Sequence, residues 1–266
     1  AEANHTEKPA RGIANPMTML ADYQDKFKHI SFRREDGILE MTLHTDGGPL
    51  RWGFGPHEEC EEAFLHIGRD RENQVVIMTG TGEEFSGPAP DPKANMEAHH
   101  MGPKEWAELG WTAKNLLTNL LAIDVPMISA VNGPALRHAE LPVLCDIVLA
   151  SETAAFQDSA HFVGGLVPGD GVHVIFPLAM GLNRGRYFLL TGQRLDAHQA
   201  KEHGLVNEVL APDALLPRAW ELARTVLQQP EMNRRYARLA VTEHLRRQMN
   251  ELLPYGLALE GLAITQ

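Results

Sequence analysis

The chain is 266 residues long with 44% hydrophobic and 22% charged residues, the balance of one sizeable globular domain rather than a fibre or a disordered polymer. A formal net charge of -11 at pH 7 disfavours a role on nucleic acid, whose phosphates need clustered Lys and Arg to displace counterions. Apolar runs such as Val143 to Ala150, which has Cys145 and Asp146 inside it, fall well short of the roughly 20 residues that cross a bilayer, so no segment is assigned to a membrane.

Residues 1–17 are polar, hold Pro9 and Pro16 and lack an apolar stretch, and read as a flexible N-terminal arm rather than a secretory signal. HISFRREDGILEMTLHT, from His29, alternates polar and apolar positions around Asp36-Gly37, which predicts two strands joined by a tight turn. Pro56 opens PHEECEEAFLHIGRD, where Cys60, Phe64 and Ile67 recur at helical spacing, and NQVVIMTGTG follows as a buried strand. Residues 85–103 are proline-rich and without periodicity, a candidate lid. His99 and His100 lie in that loop without further ligands nearby, so no metal is expected there or elsewhere.

Leu109, Ala113, Leu116, Leu117, Leu120 and Leu121 give helical spacing across KEWAELGWTAKNLLTNLLAI, and Pro126 opens the strand MISAVNG. CDIVLAS is another strand, GLNRGRYFLLTG and LDAHQAKEHG are short helices stopped by glycine, and LVNEVLA is a last strand. Asp213 is expected to cap the helix DALLPRAWELARTVLQQ, and a final helix is expected to break at Pro254-Tyr255-Gly256. Arg234, Arg235, Arg238, Arg246 and Arg247 alternate with apolar residues on that last helix, the pattern of a solvated face or subunit contact, with a ligand phosphate as the minor alternative. Cys60 and Cys145 form no disulfide framework or metal spacing, which points to a reducing, cytoplasmic setting.

The strand and helix order, with AVNGPALRHAELPVLCDIVLASETAAFQ and the stretch from GLVPGDG to GLVNEVL, resembles the crotonase (enoyl-CoA hydratase/isomerase) superfamily from about residue 26 to the C-terminus. The resemblance implies an α/β fold: a spiral of ββα repeats over residues 18–200, and a C-terminal helical region of the same domain over 201–266. It also implies a homotrimer or a dimer of trimers, and backbone NH groups from two loops, here FSGPAPD and NGPALRHAE, that hold an enolate-like oxyanion.

Both loops depart from the hydratase pattern. The second catalytic glutamate of hydratases is His161 here, while Glu140 matches the other carboxylate position. Pro88 and Pro90 have no NH, which leaves Gly87 or Ala89 as the first-loop donor. With His138, Glu260 in GLALEGLA and Trp52 in PLRWGF, these departures resemble the superfamily's β-diketone hydrolases of the oxocamphor hydrolase type, which act without CoA or any other cofactor. That resemblance implies retro-Claisen cleavage of a small cyclic β-diketone to a keto acid.

On this reading His161 is the general base for water, and Asp170 is the carboxylate that fixes its tautomer. His138 polarises a carbonyl or holds the enolate oxygen, or caps its own loop. Glu260 orients a water or His138, Trp52 walls the substrate or simply packs, and Ala89 and Glu140 border the substrate, Glu140 serving equally well as a buried structural partner. The alternative activity is a divergent CoA-thioester hydratase, isomerase or hydrolase using Glu140 and His161. Lesser readings are a non-catalytic scaffold and a serine nucleophile at Ser86 or Ser159, neither of which sits in a G-x-S-x-G elbow.

Overall fold

In the computed structural model, which describes residues 18–87 and 101–264, the chain enters its fold through a hairpin. Strands β1 (Ile30–Glu35) and β2 (Ile38–Leu43) pair antiparallel across Asp36 and Gly37, whose φ values of 51° and 82° are the left-handed pair a two-residue hairpin turn needs. Helix α1 (Phe54–Arg69), β3 (Val75–Gly80), α2 (Pro103–Ala122), β4 (Met127–Val131), the short α3 (Glu140–Val143), β5 (Ile147–Ser151) and β6 (Ala155–Phe156) follow. The C-terminal half adds α4 (Val172–Met180), α5 (Leu182–Thr191), β7 (Leu195–Asp196), α6 (Ala197–Glu202), β8 (Glu208–Leu210), α7 (Pro212–Leu227) and α8 (Glu231–Ile264).

The main sheet runs β1-β2-β3-β4-β5-β8, parallel from β2 onward. Strands β3 and β4 are buried almost throughout because both faces of the sheet are covered, which is why they read as continuous apolar runs rather than alternations. One face carries α1 and α2, whose Cys60, Phe64, Leu116 and Leu120 enter the larger core. The other carries α7, whose Leu215, Ala219, Trp220 and Ala223 pack on Val75, Ile77 and Ile128.

A second wall is narrower. Single bridges join Arg51 to Gly87, Ser86 to Ala135 and Ala135 to Phe156, and β6 then pairs with β7. Successive strand-strand-helix turns are thus laid beside one another on two walls, which is the spiral expected. No described helix is long and apolar enough to cross a membrane.

Three local expectations are corrected, and one helix is added. Asp213 does not cap α7: Ala211 stands at the cap, Pro212 opens the helix, and Asp213 lies in the first turn, where its charge opposes the helix dipole favourably. Residues 172–180, left unassigned in the sequence, form α4. Arg234, Arg235 and Arg238 are buried rather than solvated. Arg235 pairs with Asp124 at 2.6 Å and Glu231 at 2.9 Å and donates to the carbonyls of Arg71 and Asn73, while Arg238 pairs with Asp146 at 2.9 Å, so each charge is neutralised where water is excluded.

Finally, α8 runs unbroken through Pro254. His173 Nε2 donates to the Leu252 carbonyl at 3.1 Å, tying this stretch of α8 to α4, and Gly256 lets the helix lie directly on the loop before α4. A Cβ on Gly256 would stand 2.3 Å from the Gly169 carbonyl oxygen and 2.3 Å from the His173 ring. Gly256→Ala is therefore expected to destabilise the fold by about 1–3 kcal/mol, read as a lower calorimetric midpoint, and to disturb Asp170 next to Gly169.

Candidate active site

Five separate parts of the chain supply one cluster. Trp52 follows β2, His138 precedes α3, Asp158 and His161 follow β6, Asp170 lies on the turn before α4, and Glu260 projects from α8. His138 is held at φ 49°, in the left-handed region that a side chain with Cβ adopts only under constraint. Gly171, at φ 100°, turns the chain into α4 immediately after Asp170. The contact of Gly169 with Gly256 brings the Asp170 turn against the helix that carries Glu260.

The side chains surround a cavity of about 340 Å³. Its apolar wall includes Phe54, Met101, Trp106, Leu109, Leu166 and Leu257, and its polar wall includes His57, Arg137, His138, His161, Asp170 and Glu260. This is the composition of a site for a small, mostly apolar molecule with a few oriented polar atoms.

Two histidine-carboxylate pairs face each other across Asp170. His161 Nδ1 lies 2.7 Å from Asp158 Oδ1, and its Nε2 lies 3.3 Å from Asp170 Oδ1 and 3.8 Å from Glu260 Oε1. His138 Nδ1 lies 2.5 Å from Glu140 Oε1 and 3.8 Å from Asp170 Oδ2. The Trp52 ring tilts over the His138 ring at 4.2 Å between centroids, and His57 meets it edge-on at 5.5 Å.

Burial works against every charge here, so the pairings decide the protonation states. For His161, burial would lower the pKa, but the charges of Asp170 and Asp158 and their hydrogen bonding outweigh it and hold the imidazole well above its ordinary range. Burial likewise opposes the Asp170 charge, and His161 followed by His138 overcomes it, leaving Asp170 well below the usual carboxylate value. His138 is raised because Glu140 and then Asp170 outweigh its burial. Burial pushes Glu260 up to about 8 against the pull of His161, and burial with the His138 charge pushes His57 down to about 3. The cavity therefore holds charged and neutral forms of the same chemical types side by side, the condition for proton transfer near neutral pH.

The structure brings together His161, Asp170, His138, Glu260, Trp52 and Glu140, all read from the sequence; Ala89 lies outside the described residues. Three expected roles change. The carboxylate on His161 Nδ1 is Asp158, and Asp170 stands at the other nitrogen. The Gly87 NH donates to the Leu50 carbonyl at 3.0 Å, so it is engaged in the second wall instead of facing an oxyanion. Ser86 and Ser159 both donate to backbone carbonyls, of Arg137 and Leu136, which removes the serine nucleophile reading.

Asp158 and His57 were missed. The signal for Asp158 was its place three residues before His161 in FQDSAH; nothing local marked His57, which reaches the site from the buried side of α1. His138, Glu140 and Asp170 also offer three ligand atoms within 4.8 Å of one another, a donor set able to hold a divalent cation.

The sequence matches the enoyl-CoA hydratase/isomerase family across residues 35–261. It is similar to the Bacillus subtilis protein YngF, provisionally named an enoyl-CoA hydratase/isomerase, at 34% identity over 73% of this chain and 72% of that one. It is also similar to carnitinyl-CoA dehydratase of Citrobacter koseri, at 32% identity over 74% of each chain. Among solved structures, a β-diketone hydrolase of the cyanobacterium Anabaena, bound to (S)-3-oxocyclohexyl acetic acid, is 48% identical with a TM-score of 0.85, covering 90% of this chain and 95% of that one. With the spiral fold and the match along most of its length, the chain belongs to the enoyl-CoA hydratase/isomerase family, the crotonase superfamily of enzymes.

Proposed function

We propose that this enzyme hydrolyses a carbon-carbon bond in a cyclic β-diketone, a retro-Claisen cleavage that yields a keto acid. The observation that carries the reading is the pair of imidazoles, His161 on Asp158 and His138 on Glu140, facing each other across Asp170 in an otherwise apolar cavity. The 48% identity to a β-diketone hydrolase supports it.

On this reading His161 Nε2 takes a proton from water as the oxygen adds to one carbonyl carbon. The tetrahedral intermediate collapses, the bond to the central carbon breaks, and its electron pair passes into the second carbonyl as an enolate. His138 holds that oxygen, and the proton on His161 returns to the central carbon. Trp52 keeps His138 against the apolar wall. No cofactor enters these steps, and the reaction is assigned to the cytoplasm. Exposed Phe162, Leu182, Tyr187 and Leu190 provide an apolar surface that suits a homotrimer or a dimer of trimers.

A base must be unprotonated to act, and His161 is held well above the ordinary imidazole range. Activity is therefore expected to rise with pH, about tenfold per unit in kcat/KM until that raised pKa is passed, measured as a rate profile from pH 6 to 10. A plateau already reached at pH 6 would exclude His161 as the base.

The second reading, chemistry on a CoA thioester, is favoured by Glu140 at the family carboxylate position and by the names of the sequence relatives. Mass spectrometry of products from a bicyclic 1,3-diketone in oxygen-18 water, with crotonyl-CoA in parallel, separates the two. A ring-opened keto acid with one heavy oxygen supports the hydrolase, and turnover of the thioester alone overturns it.

A further inference from the structure

We infer that Asp158 is the positioning carboxylate of this site: it decides which nitrogen of His161 faces the reacting molecule. The inference deepens the hydrolase reading and rests on it for the reaction, though not for the geometry.

Asp158 Oδ1 accepts from His161 Nδ1 at 2.7 Å, and both residues are 5% exposed. Its second oxygen is buried with no hydrogen-bond partner among the described residues. An aspartate retained for local structure would ordinarily accept from backbone NH groups at a turn or helix start. Here the short helical turn Phe162–Gly164 has no side-chain cap, and the described hydrogen bond of Asp158 goes to the imidazole. Burying a carboxylate in this way is costly unless its field is used. Two neighbours use it: His161, and Arg137 on the same cavity wall, whose charge the Asp158 carboxylate favours.

The backbone beside Asp158 is tied down on both sides. The Gln157 NH donates to the Ala135 carbonyl at 3.2 Å and its side chain to the Gly192 carbonyl at 2.8 Å, while Ser159 donates to the Leu136 carbonyl through both its NH and its hydroxyl. The carboxylate is thus presented to His161 from a fixed frame, as a tautomer-selecting partner must be.

The consequence follows from imidazole chemistry. When neutral, one ring nitrogen carries hydrogen and the other a lone pair. Asp158 keeps the hydrogen on Nδ1, so when the imidazolium gives up a proton to become the base it does so from Nε2, beside Asp170 at 3.3 Å and Glu260 at 3.8 Å. A proton removed from water arrives there, and Asp158 steadies the imidazolium from behind.

The test combines kinetics on a diketone with an NMR titration of carbon-13-labelled histidine in Asp158→Asn and Asp158→Ala. The expected result is a fall in kcat of about a hundredfold or more with KM within about threefold, and a His161 titration midpoint lower by roughly one pH unit or more. Asp158→Glu, which restores a carboxylate, should recover part of that midpoint. A merely structural aspartate would lower the melting temperature in these variants while leaving kcat and the titration in place, and that result overturns the inference. Asp158→Asn is nearly isosteric, so it carries the test if Asp158→Ala does not fold. If the wild-type enzyme cleaves no diketone, the hydrolase reading fails, while the titration still decides the role of Asp158.

Discussion

His161→Ala is expected to lower kcat for diketone cleavage by about 10²–10⁴, the contribution of a positioned general base, with KM changed only a few-fold. The size of the effect follows from what surrounds the ring. His161 is the group that both Asp158 and Asp170 approach closely, and its charge is the main force holding Asp170 ionised against burial. Removing the ring deletes the base and also strands two buried carboxylates, which then take up protons. His161→Gln keeps most of the volume and a donor for Asp158, so it separates lost chemistry from lost structure. Both variants should be equally inactive while only the alanine variant melts early. A loss of less than tenfold in a folded His161→Gln enzyme would remove this residue from proton transfer.

His138→Ala is expected to cost about 10²–10³ in kcat, the usual effect of removing a donor to a developing oxyanion. On the proposed reading the task falls to this side chain, and the Gly87 NH, one of the expected backbone donors, is bound to the Leu50 carbonyl. His138 is equipped for the task, since Glu140 at 2.5 Å and Asp170 at 3.8 Å hold it in a proton-rich state, and Trp52 and His57 pack on its ring. Glu140→Gln should produce a milder version of the same defect with normal stability, because Gln keeps the hydrogen bond and loses the charge. Measurement of kcat and KM separately decides the case. A rise in KM with kcat intact would make His138 a binding residue rather than a holder of the enolate.

The two effects should not add. His138 and His161 both approach Asp170, so the double variant is expected to lose little more than His161→Ala alone, as groups acting in one step do.

Alternation around Asp36-Gly37, helical spacing through Phe64 and Leu116, and the apolar strands at 75–80 and 127–131 were legible in the sequence, because periodicity is a local consequence of which face is buried. His161, Asp170, His138, Glu140, Glu260 and Trp52 were likewise legible as candidates, since each stands in a run whose spacing matches a family. Other features escaped local reading. VHVIFPLAM is rich in β-branched and aromatic residues and forms α4 because packing against α5 and α8 overrides propensity. Pro254 does not end α8, and Arg235 is not at the surface because partners distant in sequence neutralise its charge.

The sequence by itself determined the family, the turns and the inventory of titratable groups, all of which rest on residue type and spacing. Only the tertiary structure decided which carboxylate meets which imidazole nitrogen: Asp158 on Nδ1, Asp170 on Nε2 and Glu140 on His138. Those pairings are set by distances of a few ångströms between separate segments, and the electrostatics of a buried group changes steeply over that length where water cannot screen it.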